Sequence, residues 1–254
     1  MYKFATIILL LLIFATLASA EQKAATTELK TPKFIGHAYD IETQELLYTE
    51  HHNYLNTLLH EVEYKEINGE IFATKSINYK HSYFAPDFTQ HNKRNGEKIN
   101  IKRKSEGNDE TKIAYQIQYQ ESSKQTLKKE TINYSSRLII DAGFDHFITH
   151  NWQALSAGKE MTIDYLIPSL QDYYELTIKQ ETCKSKSQGQ YCFSISASSF
   201  FIGLFSSQLE LSYNKIKDSE DNETVHIQLM GFQGRSNISD SKGNYQDVNI
   251  IYQY

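Results

Sequence analysis

Glu61-Val-Glu-Tyr-Lys-Glu-Ile67-Asn68-Gly69-Glu70-Ile-Phe-Ala-Thr-Lys-Ser-Ile77 holds two β-like runs on either side of Asn-Gly, the dipeptide best suited to the positive backbone angles of a tight hairpin turn. Asn95-Gly96 repeats the signal, and polar turn formers recur at Glu106-Gly107-Asn108-Asp109, Asp218 to Asn222 and Ser241-Lys242-Gly243-Asn244. Between them apolar residues alternate, as in Ile113, Tyr115, Ile117, Tyr119 and again in Val225, Ile227, Leu229. Eighteen tyrosines against three prolines suit strands. The expectation is a mostly β chain: a curved antiparallel sheet or half-barrel of roughly ten strands.

Two segments depart from that period. From Asp141 to Ala157, Phe144, Phe147, Ile148, Trp152 and Leu155 recur at helical spacing and Gly158 supplies a stop, so one amphipathic helix is expected over about 142–157. Ser199 to Phe205, with Phe200, Phe201, Ile202, Leu204 and Phe205, reads as a second short helix or an apolar flap. An isolated helix this short is marginal in water, so its apolar stripe must bury against the sheet.

Lys3 followed by the apolar run Ala5 to Leu17 and by Ala18-Ser19-Ala20 has the form of a cleaved export signal, too short for the roughly 20 residues of a spanning helix. Residues 1–20 are read as signal peptide, 21–32 as a flexible leader, and 33–254 as a single β-rich domain. Removing residues 1–20 takes away one basic residue of 26 and none of the 31 acidic ones, leaving a net charge of −6, which argues against nucleic acid as a partner. Cys183 and Cys192 are the two cysteines, and in an oxidising compartment they are expected to pair. Closing that loop is worth about 2 to 3 kcal/mol by chain entropy.

Catalytic signatures are weak. His146 and His150 have the i, i+4 spacing that can hold a metal, but no HExxH pattern accompanies them, and both are expected on a solvated helix face. His51 and His52 adjoin in an extended stretch and so point to opposite faces. The basic concentration Lys93-Arg94, Lys98, Lys102, Arg103, Lys104 is diluted by acids and reads as a solvated strand and turn. No nucleophile elbow, phosphate loop or cofactor motif is present. Val248, Ile250, Tyr252 and Tyr254 alternate to a terminal aromatic, as in the last strand of an outer-membrane barrel. Polar segments such as Glu61 to Glu66 do not supply a lipid-facing band, so an edge-closing strand of a soluble sheet is expected.

Gly36-His-Ala-Tyr-Asp40, Glu45-Leu-Leu-Tyr-Thr-Glu50, the Phe144 to Leu155 helix and Gly231-Phe-Gln-Gly-Arg-Ser-Asn237-Ile together resemble a group of exported bacterial proteins of unknown function. At the level of fold, a sheet wrapped over helices resembles the half-barrel of periplasmic lipoprotein carriers. The resemblance implies residence in the periplasm if the source is Gram-negative, and otherwise secretion, with the outer membrane as the alternative. The expected role is a non-enzymatic carrier or binder of a hydrophobic small molecule or lipid, without cofactor or metal. Alternatives are an envelope protein–protein interaction module, a small outer-membrane barrel, or a hydrolase without a recognisable motif. Phe144, Phe147, Trp152, Phe200, Phe201 and Phe205 are the expected lining of an apolar cleft. Arg235, between Gly234 and Ser236, is the expected polar contact for an anion or a partner backbone.

Overall fold

Period-two alternation sends His60, Val62 and Tyr64 inward on one strand and Tyr115, Ile117 and Tyr119 inward on another, while the residues between them face out. The computed structural model describes residues 33–106, 109–184, 189–197, 209–217 and 225–254. The first arm is a meander of β1 (Phe34–Asp40), β2 (Leu46–Asn56), β3 (Leu59–Lys65), β4 (Ile71–Asn78), β5 (Asp87–Asn92), β6 (Glu97–Glu106), β7 (Asp109–Gln120) and β8 (Lys128–Asn133). The chain then crosses to β9 (Leu138–Ile139), forms α1 (Gly143–His150) and α2 (Trp152–Ser156), and meanders back. The returning strands are β10 (Met161–Ile167), β11 (Asp172–Glu181), β12 (Tyr191–Ala197), β13 (Leu209–Lys217), β14 (Val225–Ser239) and β15 (Tyr245–Gln253).

The fifteen strands of the described residues belong to one open sheet, ordered β8-β7-β6-β5-β4-β3-β2-β1-β15-β14-β13-β12-β11-β10-β9. Every pairing is antiparallel except β9 with β10. The count exceeds the ten expected because several turns carry no glycine. At the β1–β2 corner Asp40 Oδ1 accepts from the backbone N–H groups of Glu42 and Thr43, and at the β2–β3 corner Asn56 Oδ1 accepts from those of Leu58 and Leu59. Where glycine was the signal, the turns lie as expected: Gly69, Gly96 and Gly243 all adopt positive φ. β15 is not an edge strand. It pairs with β1 on one side and β14 on the other, joining the two arms at the middle of the sheet.

The expected single helix is broken. Asn151 leaves the helical region (φ −96°, ψ 14°) between α1 and α2, with its backbone N–H and its side-chain amide both donating to Phe147 O, at 3.0 and 2.9 Å. The expected helix over 199–205 and the expected signal and leader lie outside the described residues, as do the turn positions 107–108 and 218–222.

Three apolar clusters fill the interior: Val62, Tyr64, Phe72 and Ile250 in the first, Phe88, Ile101, Tyr115 and Leu166 in the second, and Ile148, Trp152, Leu155, Phe193 and Tyr213 under the helices. Side chains also meet between strands six places apart in the order. Asn92 on β5 donates to Ser239 O at 2.7 Å and Gln90 to Asn237 O at 3.1 Å. Tyr245 and Ser239 donate to the buried Glu97 of β6. Burial pushes the Glu97 carboxyl up in spite of these donors and of Tyr119. Cys183 and Cys192 form the expected disulfide, with Cα atoms 5.0 Å apart.

The helices are seated by close backbone approach. A Cβ at Gly143, the first residue of α1, would lie 1.9 Å from the carbonyl oxygen of Phe84, which also accepts from Ile140 N at 3.0 Å. Gly143→Ala is therefore expected to cost about 1 to 3 kcal/mol in a urea melt, and an unchanged midpoint would show that α1 is free to shift.

Candidate functional site

A cavity of about 380 Å³ opens between the inner face of the sheet and the start of α1. Much of its wall is apolar, including Val62, Ile77, Leu211, Phe232 and Ile250. One region differs: Glu50 and His52 of β2, His60 of β3 and Lys75 of β4 occupy inward positions where the alternation asks for apolar residues. Asp141 and Asp145 face the same space from the entry to α1.

Strand register assembles the histidine cluster. β2 and β3 pair with His52 opposite Val62 and Tyr54 opposite His60, leaving His52 and His60 as diagonal neighbours on one face. His52 Nδ1 lies 3.0 Å from His60 Nε2, and His52 Nε2 lies 3.4 Å from Glu50 Oε2, which also receives the Tyr252 hydroxyl at 3.5 Å. Phe34 stacks on His52 with ring centroids 4.1 Å apart, and Tyr54 stacks on His60 at 4.2 Å. Burial, and then the charges of His52, Lys75 and His146, hold the His60 imidazole down to about 3, so the ring is neutral at physiological pH. Its Nδ1 is buried and has no hydrogen-bond partner.

Lys75 Nζ donates to both oxygens of Asp141, at 2.7 and 2.9 Å, from a side chain only 3% exposed. Asp141 holds a left-handed backbone conformation (φ +44°), which an aspartate tolerates better than most residues. Asp145 has no such cation. Burial pushes its carboxyl up to about 6 in spite of the Tyr213 hydroxyl beside it, and Oδ1 is enclosed. The phenols of Tyr54, Tyr213 and Tyr252 are raised first by burial and further by the Asp145 charge.

Of the residues read from sequence as cleft lining, Phe144 borders the cavity and packs on Tyr165 with centroids 4.8 Å apart. Arg235 also borders it, its Nε donating to Asp247 at 2.7 Å. Phe147 packs on Phe84, and Trp152 is buried among Tyr191, Phe193 and Tyr213; both belong to the core beneath the helices. Phe200, Phe201 and Phe205 lie outside the described residues. Of the two helix histidines, His146 is less solvated than expected, packing on Tyr79 and Tyr83 with burial lowering its pKa, while His150 is exposed as expected and meets Phe84 edge-on. Among the described residues no group of three or more His, Cys, Asp or Glu is arranged to hold a metal ion. Sequence reading missed Glu50, His60 and Lys75 as site residues. The signal available was polar residues on the inward beat of strands whose other inward positions are apolar.

Comparison with known protein families, curated proteins and solved structures found no match for this chain.

Two outcomes follow from these charges. Lys75→Met, which strands the Asp141 carboxylate inside, is expected to cost about 3 to 5 kcal/mol, and the pair Lys75→Met with Asp141→Asn to recover most of it; equal losses would show that the ion pair is not coupled. For Asp145 the folded state holds the proton more tightly than the unfolded chain, whose value is 3.8. Its charged form therefore destabilises above about pH 6, and the penalty disappears as pH falls to 3.8. Asp145→Asn is expected to raise stability at pH 8 by up to about 3 kcal/mol and to flatten the pH dependence in that window, as read from melting curves across pH.

Proposed function

We propose that this protein is an exported, non-enzymatic binder or carrier of a small apolar molecule, held in a curved, half-barrel-like sheet. The observation that carries the reading is the cavity of about 380 Å³, within the range of small-molecule sites, with a mostly apolar wall and a few clustered polar groups. Among the described residues its polar groups make no nucleophile–base pair, and this supports binding over hydrolysis.

The curvature has two supports. The edge strands β8 and β9 are separated only by residues 134–137, a connection that reaches at most roughly 17 Å, whereas fifteen strands laid flat would hold their edges roughly 70 Å apart. Bonds such as Asn92 to Ser239 join strands six places apart, which a flat sheet forbids. The outward positions of the first arm, among them Glu61, Glu63, Lys98, Lys102, Gln116 and Gln118, are polar, and a lipid-facing band needs apolar residues there. This favours an interior ligand over a spanning barrel. Export rests on the signal-like residues 1–20 and agrees with the disulfide, a bond that persists in oxidising compartments. The periplasm is the expected destination in a Gram-negative source.

Native mass spectrometry of the protein exported to an oxidising compartment and purified without detergent tests the reading. A binder is expected to carry extra mass that leaves on denaturation. A bare mass, together with no uptake of a neutral apolar dye, would sink it, and a co-purifying protein would favour an envelope interaction module.

A further inference from the structure

Building on the binder reading, we propose that the polar wall selects the ligand's head group: Nδ1 of His60 receives a hydrogen-bond donor, the hydroxyl or amine of an otherwise apolar molecule, and the cavity turns away anionic heads. The argument starts from the tautomers. The Glu50 carboxylate only accepts, so His52 donates to it from Nε2. In neutral His52 the other nitrogen, Nδ1, then accepts, and the proton between the two rings belongs to His60 Nε2. A neutral His60 carrying its proton on Nε2 presents a bare lone pair at Nδ1. That atom is buried and unpartnered in a residue 4% exposed, on the wall of the cavity. Leaving a buried acceptor unmet is costly, and a native protein tolerates it where a ligand supplies the missing donor.

The tilt of the rings is held by the neighbours. Phe34 stacks on His52 and Tyr54 on His60, so the lone pair keeps its direction when the site is empty. A second acceptor, the Asp145 carboxylate, borders the same cavity with the Tyr213 hydroxyl beside it. An unpartnered imidazole nitrogen beside a carboxylate asks for a donor-bearing ligand.

Charge excludes the anion. Three carboxylates, Glu50, Asp141 and Asp145, border the cavity against the cations Lys75 and Arg235. Lys75 is clamped by both oxygens of Asp141, and Arg235 holds Asp247. An incoming carboxylate or phosphate would meet Glu50 and Asp145 in an apolar surround, where like charges repel strongly. An ammonium or a hydroxyl meets acceptors.

The test uses the delipidated full chain at pH 8, with displacement of the neutral dye Nile red by decanol, decylamine, decyl methyl ether and decanoate. Decanol and decylamine are expected to compete at roughly threefold to tenfold lower concentration than the ether, which has no donor, the factor of one hydrogen bond. Decanoate is expected to be the weakest. In His60→Phe the gap between alcohol and ether closes while the ether still binds, and in His60→Gln, which keeps an acceptor, the gap is retained. Equal competition by alcohol, ether and decanoate, or decanoate in front, overturns the head-group inference and leaves the binder reading standing. Failure of the dye and of all four compounds to bind sinks the binder reading, and the head-group inference goes with it. Should His60→Phe not fold, the ranking on the unmodified protein decides alone.

Discussion

The ion pair between Lys75 and Asp141 is the contact on which the interior depends. Lys75 projects from the inner face of β4, and Asp141 is where the chain leaves the edge strand β9 and turns into α1, so the bond spans the interior from the sheet to the helical segment. Sixty-six residues separate the partners in sequence. Removing two charges from water costs several kcal/mol each, and only close, well-aligned bonding offsets it. Here the ammonium meets both carboxylate oxygens. With Asp141 fixed, the rest of the seat follows: Gly143 packs against the Phe84 carbonyl, and Phe144 and Asp145 are aimed at the cavity.

The same balance explains why one wall of the cavity is polar. Across most of the interior, tyrosine and aliphatic side chains exclude water and remove apolar surface from it. At the wall of Glu50, His52, His60 and Lys75 that gain is forgone, and hydrogen bonds restore only part of it. Elsewhere a buried acid is met by donors, as Glu97 is by Tyr119, Tyr245 and Ser239 where the two arms touch. Nδ1 of His60 is not so met. The contrast within one molecule separates a polar cluster that closes the fold from one that leaves valences open toward a cavity.

Local chemistry was legible in the sequence and long-range placement was not. Asn68-Gly69 and Asn95-Gly96 mark their turns because few residues other than glycine and asparagine take positive φ easily. Corners made by Asp40 and Asn56 escape notice because those residues also serve in many other settings, and so the strands were undercounted. The helical spacing of Phe144 to Leu155 was real, but Asn151 leaves the helical backbone region and divides the helix. Phe144 and Arg235 border the cavity while Phe147 and Trp152 are core, a division that spacing alone cannot make, because one apolar stripe serves both surfaces.

From the sequence alone came the antiparallel β class, the main hairpin turns, the presence of a helical interruption and the cysteine pair, since each depends on residues close together in the chain. Tertiary structure alone decided that the first and last strands join two arms, that Lys75 reaches Asp141, and that His52 meets His60 beside Glu50. Those meetings depend on strand register and on which faces are buried against each other. In a sheet a slip of one residue reverses every side chain, so the site exists only once the whole set of pairings is fixed.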